Sequence, residues 1–497
     1  MRPLRFYLTW LAPLAAALLV RVPGLGARPL WYDEAFTVLL TSRGPSALAQ
    51  GLLADVHPPL YYAVLYFWES LFGYSPIAVR SLSVLVGLGV VIAGTLLAAR
   101  VFGDGVARWT AWGLALSPFE VHYAQEARMY ALLALLLICA TLAYHQAIMH
   151  GRRSAWIAFI LLAAAAQYTH NLACLYLAAL ALTPIVLRKP RLLLPTAAAG
   201  LVALALYTPW IPRLWGMLEG VATGYWIRQP GVSEVLRTLL TFVTGLPLQT
   251  WALPIALFIS LLVFLLMAWA LGVALRTPER PFGAPWFAWL ALIPPAVMLL
   301  ASIWWPIYLD RALLPSATAF VLLASWAVEG QWLPPRLRWT GRLAMLAGFA
   351  LGLTGWFTHS GFPYAPFEDI DAYLRTHASP SEVVLHSNKI TALPAAYAGP
   401  DVDHHYLADP AWSVSDTLSN GTQAALGMPA DPDTAAAVGQ APGVWFVYFR
   451  REAQDYQALG IDQIPALAWL DTRFSLDSTQ SFGDVDVLHF VRPGGGG

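Results

Sequence analysis

The feature that most constrains this chain is the recurrence of apolar runs near bilayer-spanning length. They fall at roughly 6–22, 77–98, 106–122, 129–148, 155–169, 172–187, 192–210, 253–275, 285–303, 312–328 and 342–358. Hydrocarbon offers no water to backbone N–H and C=O groups, so such runs must close their hydrogen bonds internally, as helices. Only 12% of the residues are charged while 58% are hydrophobic, and mean hydropathy is +0.58. A soluble domain carries about twice that charge. The 22 tryptophans suit membrane interfaces, where the indole is apolar on one side and a hydrogen-bond donor on the other. The pattern predicts an α-helical polytopic membrane protein with about eleven transmembrane helices, embedded in the plasma or inner membrane of a cell.

Loop charge orients it. With a cytoplasmic N-terminus, the inner segments hold Arg2, Arg5, Arg100, Arg108, Arg152, Arg153, Arg188, Lys189, Arg191, Arg276, Arg280, Arg336, Arg338 and Arg342. The outer loops are longer in total and poorer in basic residues, which is the positive-inside bias. The basic, then apolar start resembles a signal peptide, but no clean A-x-A site follows, so residues 1–27 read as a retained first span. Two outer segments stand out: Val22 to Pro76, and about 211–252, which holds Trp210, Trp215, Tyr225, Trp226 and Trp251 as interface aromatics.

After residue 359 the spans stop. Strand-like runs at 383–385, 444–449 and 485–491 alternate with helical patterns at 366–377 and 452–459. The organisation expected is a transmembrane domain over 1–358 and a small α/β domain over 359–497, extracytoplasmic by parity, with Gly494 to Gly497 as a tail. Net charge is zero, and nothing points to a nucleic-acid partner. Cys139 and Cys174 lie in apolar runs without metal-ligand spacing and read as core residues. Asn420-Gly421-Thr422 fits a glycosylation sequon, a triplet common by chance. His404-His405 with Asp401 and Asp403 reads as a solvated loop before a metal site.

The unusual polar clusters all fall at outer ends of spans. Trp31-Tyr32-Asp33-Glu34 places two carboxylates among aromatics. Asp33 can serve as the N-cap of a short helix, or as a general base whose pKa a low-dielectric wall raises. Asp55-Val56-His57-Pro58-Pro59 introduces an apolar helix over 60–72, too short to span, expected to lie in the interface and to end near Gly73. Asp55 and His57 at its entrance are either a capping turn or ligands for a phosphate or metal. Tyr123-Ala124-Gln125-Glu126-Ala127-Arg128-Met129-Tyr130 wedges ionisable groups between two apolar segments and must be paired or wet. Tyr168-Thr169-His170-Asn171 is explained by helix capping. Tyr308-Leu309-Asp310-Arg311 offers an arginine, whose fixed fork of donors suits phosphate. Adjacent residues seldom face each other on a helix, so a direct Asp310–Arg311 pair is not expected. No Walker motif, dinucleotide fingerprint or zinc spacing is evident.

Taken in this order, these motifs resemble the bacterial glycosyltransferases related to dolichyl-phosphate-mannose–protein mannosyltransferases, within the glycosyltransferase C superfamily. The resemblance covers roughly 1–358 and rests on Trp31 to Ala35, His57 to Tyr62, Ser117-Pro118 with Tyr123 to Tyr130, Tyr168 to His170, and Arg311 to Pro315. It implies an inverting transfer of a sugar from a polyprenyl-phosphate-linked donor to an acceptor that is protein, lipid or cell-envelope glycan. It implies Asp33 as the catalytic carboxylate with Glu34 beside it. Arg128 and Arg311 then hold the departing phosphate, and His57, Asp55, Gln125, Glu126, Tyr130 and His170 line the substrate site. It leaves a divalent metal, magnesium or manganese, open, with Asp33 and His57 as candidate ligands. A tyrosine commonly follows the arginine in this family. Here Ala312 does, which leaves Tyr308 as the substitute. A transporter would instead place ionisable groups mid-span within inverted repeats, and a bare scaffold would leave the clusters unexplained.

Overall fold

The structure is a computed structural model. It describes all residues except 1, 56, 215–226, 228, 278–281, 410–417 and 494–497. Trp215, Tyr225, Trp226, Arg280 and the glycine tail therefore lie outside the described residues. The chain divides into two compact units: Met1–Leu25, Val56–Leu65 and Arg80–His359 form the first, and Gly26–Asp55, Tyr66–Val79 and Ser360–Gly497 form the second.

The first unit is helical. Each expected span has a helix, and six segments are long and apolar enough to cross a membrane: Pro76–Phe102, Tyr130–His150, Pro190–Leu214, Thr250–Arg276, Gly283–Ala301 and Asp310–Glu329. Trp10–Arg21 and Ala173–Val186 are shorter apolar helices. The Leu314–Glu329 helix is the centre, buried from Leu314 to Val328 and packed by helices Asp104–Leu116, Tyr130–His150, Leu253–Arg276, Gly283–Ala301 and Pro335–Thr358. Helix Pro335–Thr358 comes very close to the turn after helix Val232–Val243. A Cβ on Gly352 would sit 1.6 Å from the Thr244 carbonyl oxygen, so only glycine fits there.

One proline shapes the polar end of this unit. The run read as a single span over 106–122 is two helices, Asp104–Leu116 and Pro118–Ala124. Pro118 has no N–H for the Leu114 carbonyl. The buried Arg21 guanidinium answers that oxygen at 2.9 Å and Ala115 O at 2.7 Å. The chain can then turn at Ser117 without orphaning buried carbonyls.

In the second unit, a five-stranded sheet has the order β2-β1-β3-β5-β4, with β1 Val383–His386, β2 His404–Tyr406, β3 Gly443–Phe449, β4 Ser475–Phe482 and β5 Val485–Val491. β1 runs parallel to β2 and β3, while β5 is antiparallel to β3 and β4. Residues alternate between faces. Leu385, Val444, Phe446 and Phe490 pack with Leu467 and Leu470 on one side; Val384, Trp445, Val447 and Val487 pack with Phe367, Ile370 and Leu374 on the other. The same unit holds residues 26–55 and 66–79: helix Tyr32–Ser42 packs on helix Lys389–Ala398, and helix Pro45–Ala54 packs on helix Asn420–Leu426. Helix Leu60–Phe72 follows Pro59 as expected and ends at Gly73, whose φ is +84°.

Three expectations are corrected. His404 and His405 do not lie in a solvated loop but in strand β2, because β1 supplies a paired edge for even three residues. Asp33 is not the N-cap; the cap is the extended Trp31, and Asp33 lies in the first helical turn, where a carboxylate still favours the positive helix end. Cys174 is exposed rather than a core residue, because helix Ala173–Ala181 is apolar all round and turns that side outward.

Candidate active site

The first unit gathers five of the singled-out residues. Arg128 lies in the non-helical stretch between helices Pro118–Ala124 and Tyr130–His150, is buried, and stands 3.3 Å through its terminal guanidinium nitrogen from His57 Nε2. Arginine only donates, so His57 Nε2 accepts and its proton rests on Nδ1. The His57 ring stands 6.5 Å from the His170 ring, and His170 stands 5.8 Å from the Tyr130 ring. The Arg311 guanidinium lies over Tyr130 at 5.3 Å. Arg311 is held there by the 3-10 turn Asp310–Leu313 that opens the central helix.

His170 ends helix Arg153–Thr169, as capping predicts, and its Nδ1 accepts from Leu172 N at 3.1 Å. Nε2 is therefore the protonated nitrogen. Burial above all, and then the nearby guanidinium charges of Arg311 and Arg128, push its imidazole well below the usual range. The cluster thus combines two guanidiniums with a neutral imidazole N–H donor. Such a set accepts an anion and discourages a cation.

Other groups brace the cluster. Glu126 accepts from His122 Nε2 at 2.9 Å, and His122 Nδ1 meets Leu246 O at 3.0 Å. Gln125 is tied down: its amide donates to Arg21 O and Pro23 O at 2.8 and 3.0 Å and accepts from Trp356 Nε1 at 2.6 Å. Asp310 does not pair side chain to side chain with Arg311. It accepts the Arg311 backbone N–H at 2.8 Å and pairs with Arg237 Nε at 2.7 Å. Tyr308 hydrogen-bonds Thr238, and burial raises its hydroxyl pKa. Arg237 and Thr238 were not singled out from sequence. The signal was an arginine on the amphipathic Val232–Val243 helix, in a segment singled out only for its length and its interface aromatics. His122 was also missed, although its i,i+4 spacing to Glu126 marks the pair.

In the second unit, Asp33 is half-buried and Glu34 fully buried in the first turn of helix Tyr32–Ser42. Asp55 closes helix Pro45–Ala54. Among the described residues no group of three or more His, Cys, Asp or Glu is arranged to hold a metal ion, and His57 already offers its Nε2 lone pair to Arg128.

One unit is thus polytopic and helical, with an anion-accepting cluster at its helix ends, the other is built on a small sheet, and the fold they make up is shared with solved membrane proteins. The crystal structure of ArnT from Cupriavidus metallidurans bound to undecaprenyl phosphate superposes with a TM-score of 0.63, at 15% identity over 96% of this chain and 97% of that one. Its apo state gives 0.63 at 17% identity over the same shares. The Archaeoglobus fulgidus oligosaccharyltransferase complex with Zn and sulfate gives 0.52 at 12% identity, over 97% of this chain and 73% of that one. Within the fold the chain resembles one family in particular: residues 56–213 match the model for dolichyl-phosphate-mannose-protein mannosyltransferase, a stretch that contains His57, Arg128, Tyr130 and His170. No curated protein matches the sequence.

Proposed function

We propose that the chain is an inverting glycosyltransferase that moves a sugar from a polyprenyl-phosphate-linked donor to an acceptor hydroxyl or amine at the outer face of the membrane. The observation that carries this reading is the convergence of Arg128 and Arg311 on the Tyr130–His170 pair inside an apolar helical unit. A nucleotide-sugar enzyme needs a water-filled nucleotide site, whereas a polyprenyl phosphate reaches a cluster at helix ends through the lipid. The ArnT structure with undecaprenyl phosphate bound is consistent with that ligand class.

The chemistry follows from charge. The acceptor oxygen or nitrogen forms a bond to the anomeric carbon as the bond from that carbon to the phosphate oxygen breaks. Negative charge grows on the departing phosphate, so Arg128 and Arg311 stabilise the transition state more than the ground state. His170 Nε2–H adds a neutral donor. Asp33 takes the acceptor proton, with Glu34 beside it in the acceptor site. Asp55, Glu126 and Tyr130 complete the substrate lining, while Gln125 is reassigned to holding the Arg21–Pro23 turn. No step is routed through a metal. On this reading, residues 1–358 carry the transfer and 359–497 stand outside the membrane on the acceptor side.

The test is release of free polyprenyl phosphate from a panel of polyprenyl-phosphate sugars by purified protein, beside its Asp33→Asn variant. Release from one donor that falls by about 10²- to 10⁴-fold in the variant supports both donor class and base. Release undiminished by Asp33→Asn removes Asp33 from the mechanism. No release from any donor, with membrane extract supplying acceptors, rejects the transferase reading.

A further inference from the structure

An open cavity lies at the far end of the helix that starts beside Arg128. It has a volume of about 400 Å³ and is lined by Ile148, Arg188, Lys189, Pro190, Arg191 and Leu192. That is within the range of small-ligand sites, roughly 300–1,000 Å³. Helix Tyr130–His150 has 21 residues, a rise of about 30 Å, which matches the hydrocarbon thickness of a bilayer, about 30 Å. Ile148 is in its last turn, so this pocket opens at the membrane face opposite the Arg128 cluster.

The pocket is built rather than incidental. Arg188 has a φ of +53° and is the one non-glycine with positive φ among the described residues, a conformation that L side chains avoid. The turn is pinned by Arg188 N to Ile185 O at 3.0 Å, Lys189 N to Pro184 O at 2.8 Å and Leu192 N to Lys189 O at 3.0 Å. Lys189 Nζ is set over the Phe282 ring at 5.2 Å.

Its charge is unbalanced. None of the three cations forms an ion pair with a described residue, and residues 127–218 contain no Asp or Glu. Arg191 also lies just before helix Leu193–Tyr207, at whose positive end a cation is unfavourable unless an anion joins it. The flanking side chains are apolar and exposed: Ile185 before the pocket, and Leu193 and Leu194 after it, Leu194 at 80%. A free anion needs no such flank, whereas a lipid needs both a cationic cradle and an apolar wall.

From this geometry we infer that the pocket binds the headgroup of an anionic phospholipid, the phosphodiester among Arg188, Lys189 and Arg191 and the acyl chains along Ile185 and Leu194. The positive-inside pattern puts this lipid in the cytoplasmic leaflet. The inference does not depend on the transferase reading.

The experiment is thermal unfolding of the delipidated full chain in neutral detergent with added phosphatidylglycerol, phosphatidylcholine or inorganic phosphate. The variants are Arg188→Gln/Lys189→Gln/Arg191→Gln and, as a control, Arg276→Gln/Arg336→Gln, which alters exposed arginines of other inner segments. We expect phosphatidylglycerol to raise Tm by several degrees in wild type and control, the triple variant to lose that rise, and the other additives to have little effect. An equal rise with phosphatidylcholine overturns the inference, as does an equal rise with inorganic phosphate, which would make the ligand a soluble anion. A rise lost equally in the control reduces the effect to general surface charge and also overturns it. If the triple variant is poorly produced, Arg188→Gln and Arg191→Gln singly must each weaken the half-saturating lipid concentration several-fold, and no change in either refutes the site.

Discussion

Arg128 is the residue on which most of the site's chemistry turns. It is buried in an apolar unit, and its hydrogen bond dictates the tautomer of His57. A charge-assisted hydrogen bond to the donor phosphate is worth about 1.5–3 kcal/mol. Arg128→Ala is therefore expected to lower kcat/KM for the polyprenyl-phosphate sugar by roughly 10- to 100-fold, with a fall in kcat and a rise in the donor KM, and to leave the acceptor KM nearly unchanged. Steady-state kinetics with each substrate varied in turn checks this, and an equal rise in both KM values would contradict a phosphate role. His170 illustrates how one residue serves two ends: capping explains its position in sequence, while burial between cations makes it a neutral donor.

At the scale of elements, strand β2 and the helix Arg450–Ala458 that follows β3 each hold a group, and the two titrations oppose each other. Burial holds the His404 imidazole down to about 4 from an ordinary 6.5. Below pH 6.5 the unfolded chain takes up a proton that the folded chain refuses, so this contribution is full above 6.5 and lost as pH falls toward 4. Burial pushes Glu452 up to about 7 from 4.5, against the hydrogen bonds from Ser387 and Asn388. Its contribution is present below 4.5 and lost as pH rises through 7. The slopes oppose between about 4.5 and 6.5. His404→Asn should therefore flatten the acid-side loss and Glu452→Gln the alkaline-side loss, read as amide exchange of β1 and β2 in the intact protein. Unchanged profiles in both variants would mean that neither group titrates as its burial dictates.

For the whole molecule, the notable fact is that residues 26–55 and 66–79 fall into one compact unit with residues 360–497, far away in sequence. Helices Tyr32–Ser42 and Pro45–Ala54 bury apolar faces against Lys389–Ala398 and Asn420–Leu426. Removing Ser360–Gly497 should leave those faces without partners. The expected outcome is rapid proteolysis and amide exchange across 32–54, with loss of transfer because Asp33 and Glu34 sit there. A truncated chain with 32–54 still protected would show that the first loop is self-supporting.

Sequence alone determined the class of fold, since the price of unsatisfied backbone in lipid leaves long apolar runs few choices, and the helices Pro76–Phe102, Tyr130–His150 and Leu253–Arg276 lie where those runs are. It also marked β1, β3 and β5, which are short, largely apolar runs rich in valine and aromatic residues. It was silent on β4, a polar edge strand with the sequence Ser475–Phe482, and on the three-residue β2, because an edge strand buries little and its pairing partner is distant in sequence. The marked motifs named Arg128, His57, His170 and Arg311 one by one. Only the tertiary structure decided that they meet, that Gln125 is consumed in bracing, and that Arg237 pairs with Asp310, because each of these depends on contacts between segments scores of residues apart.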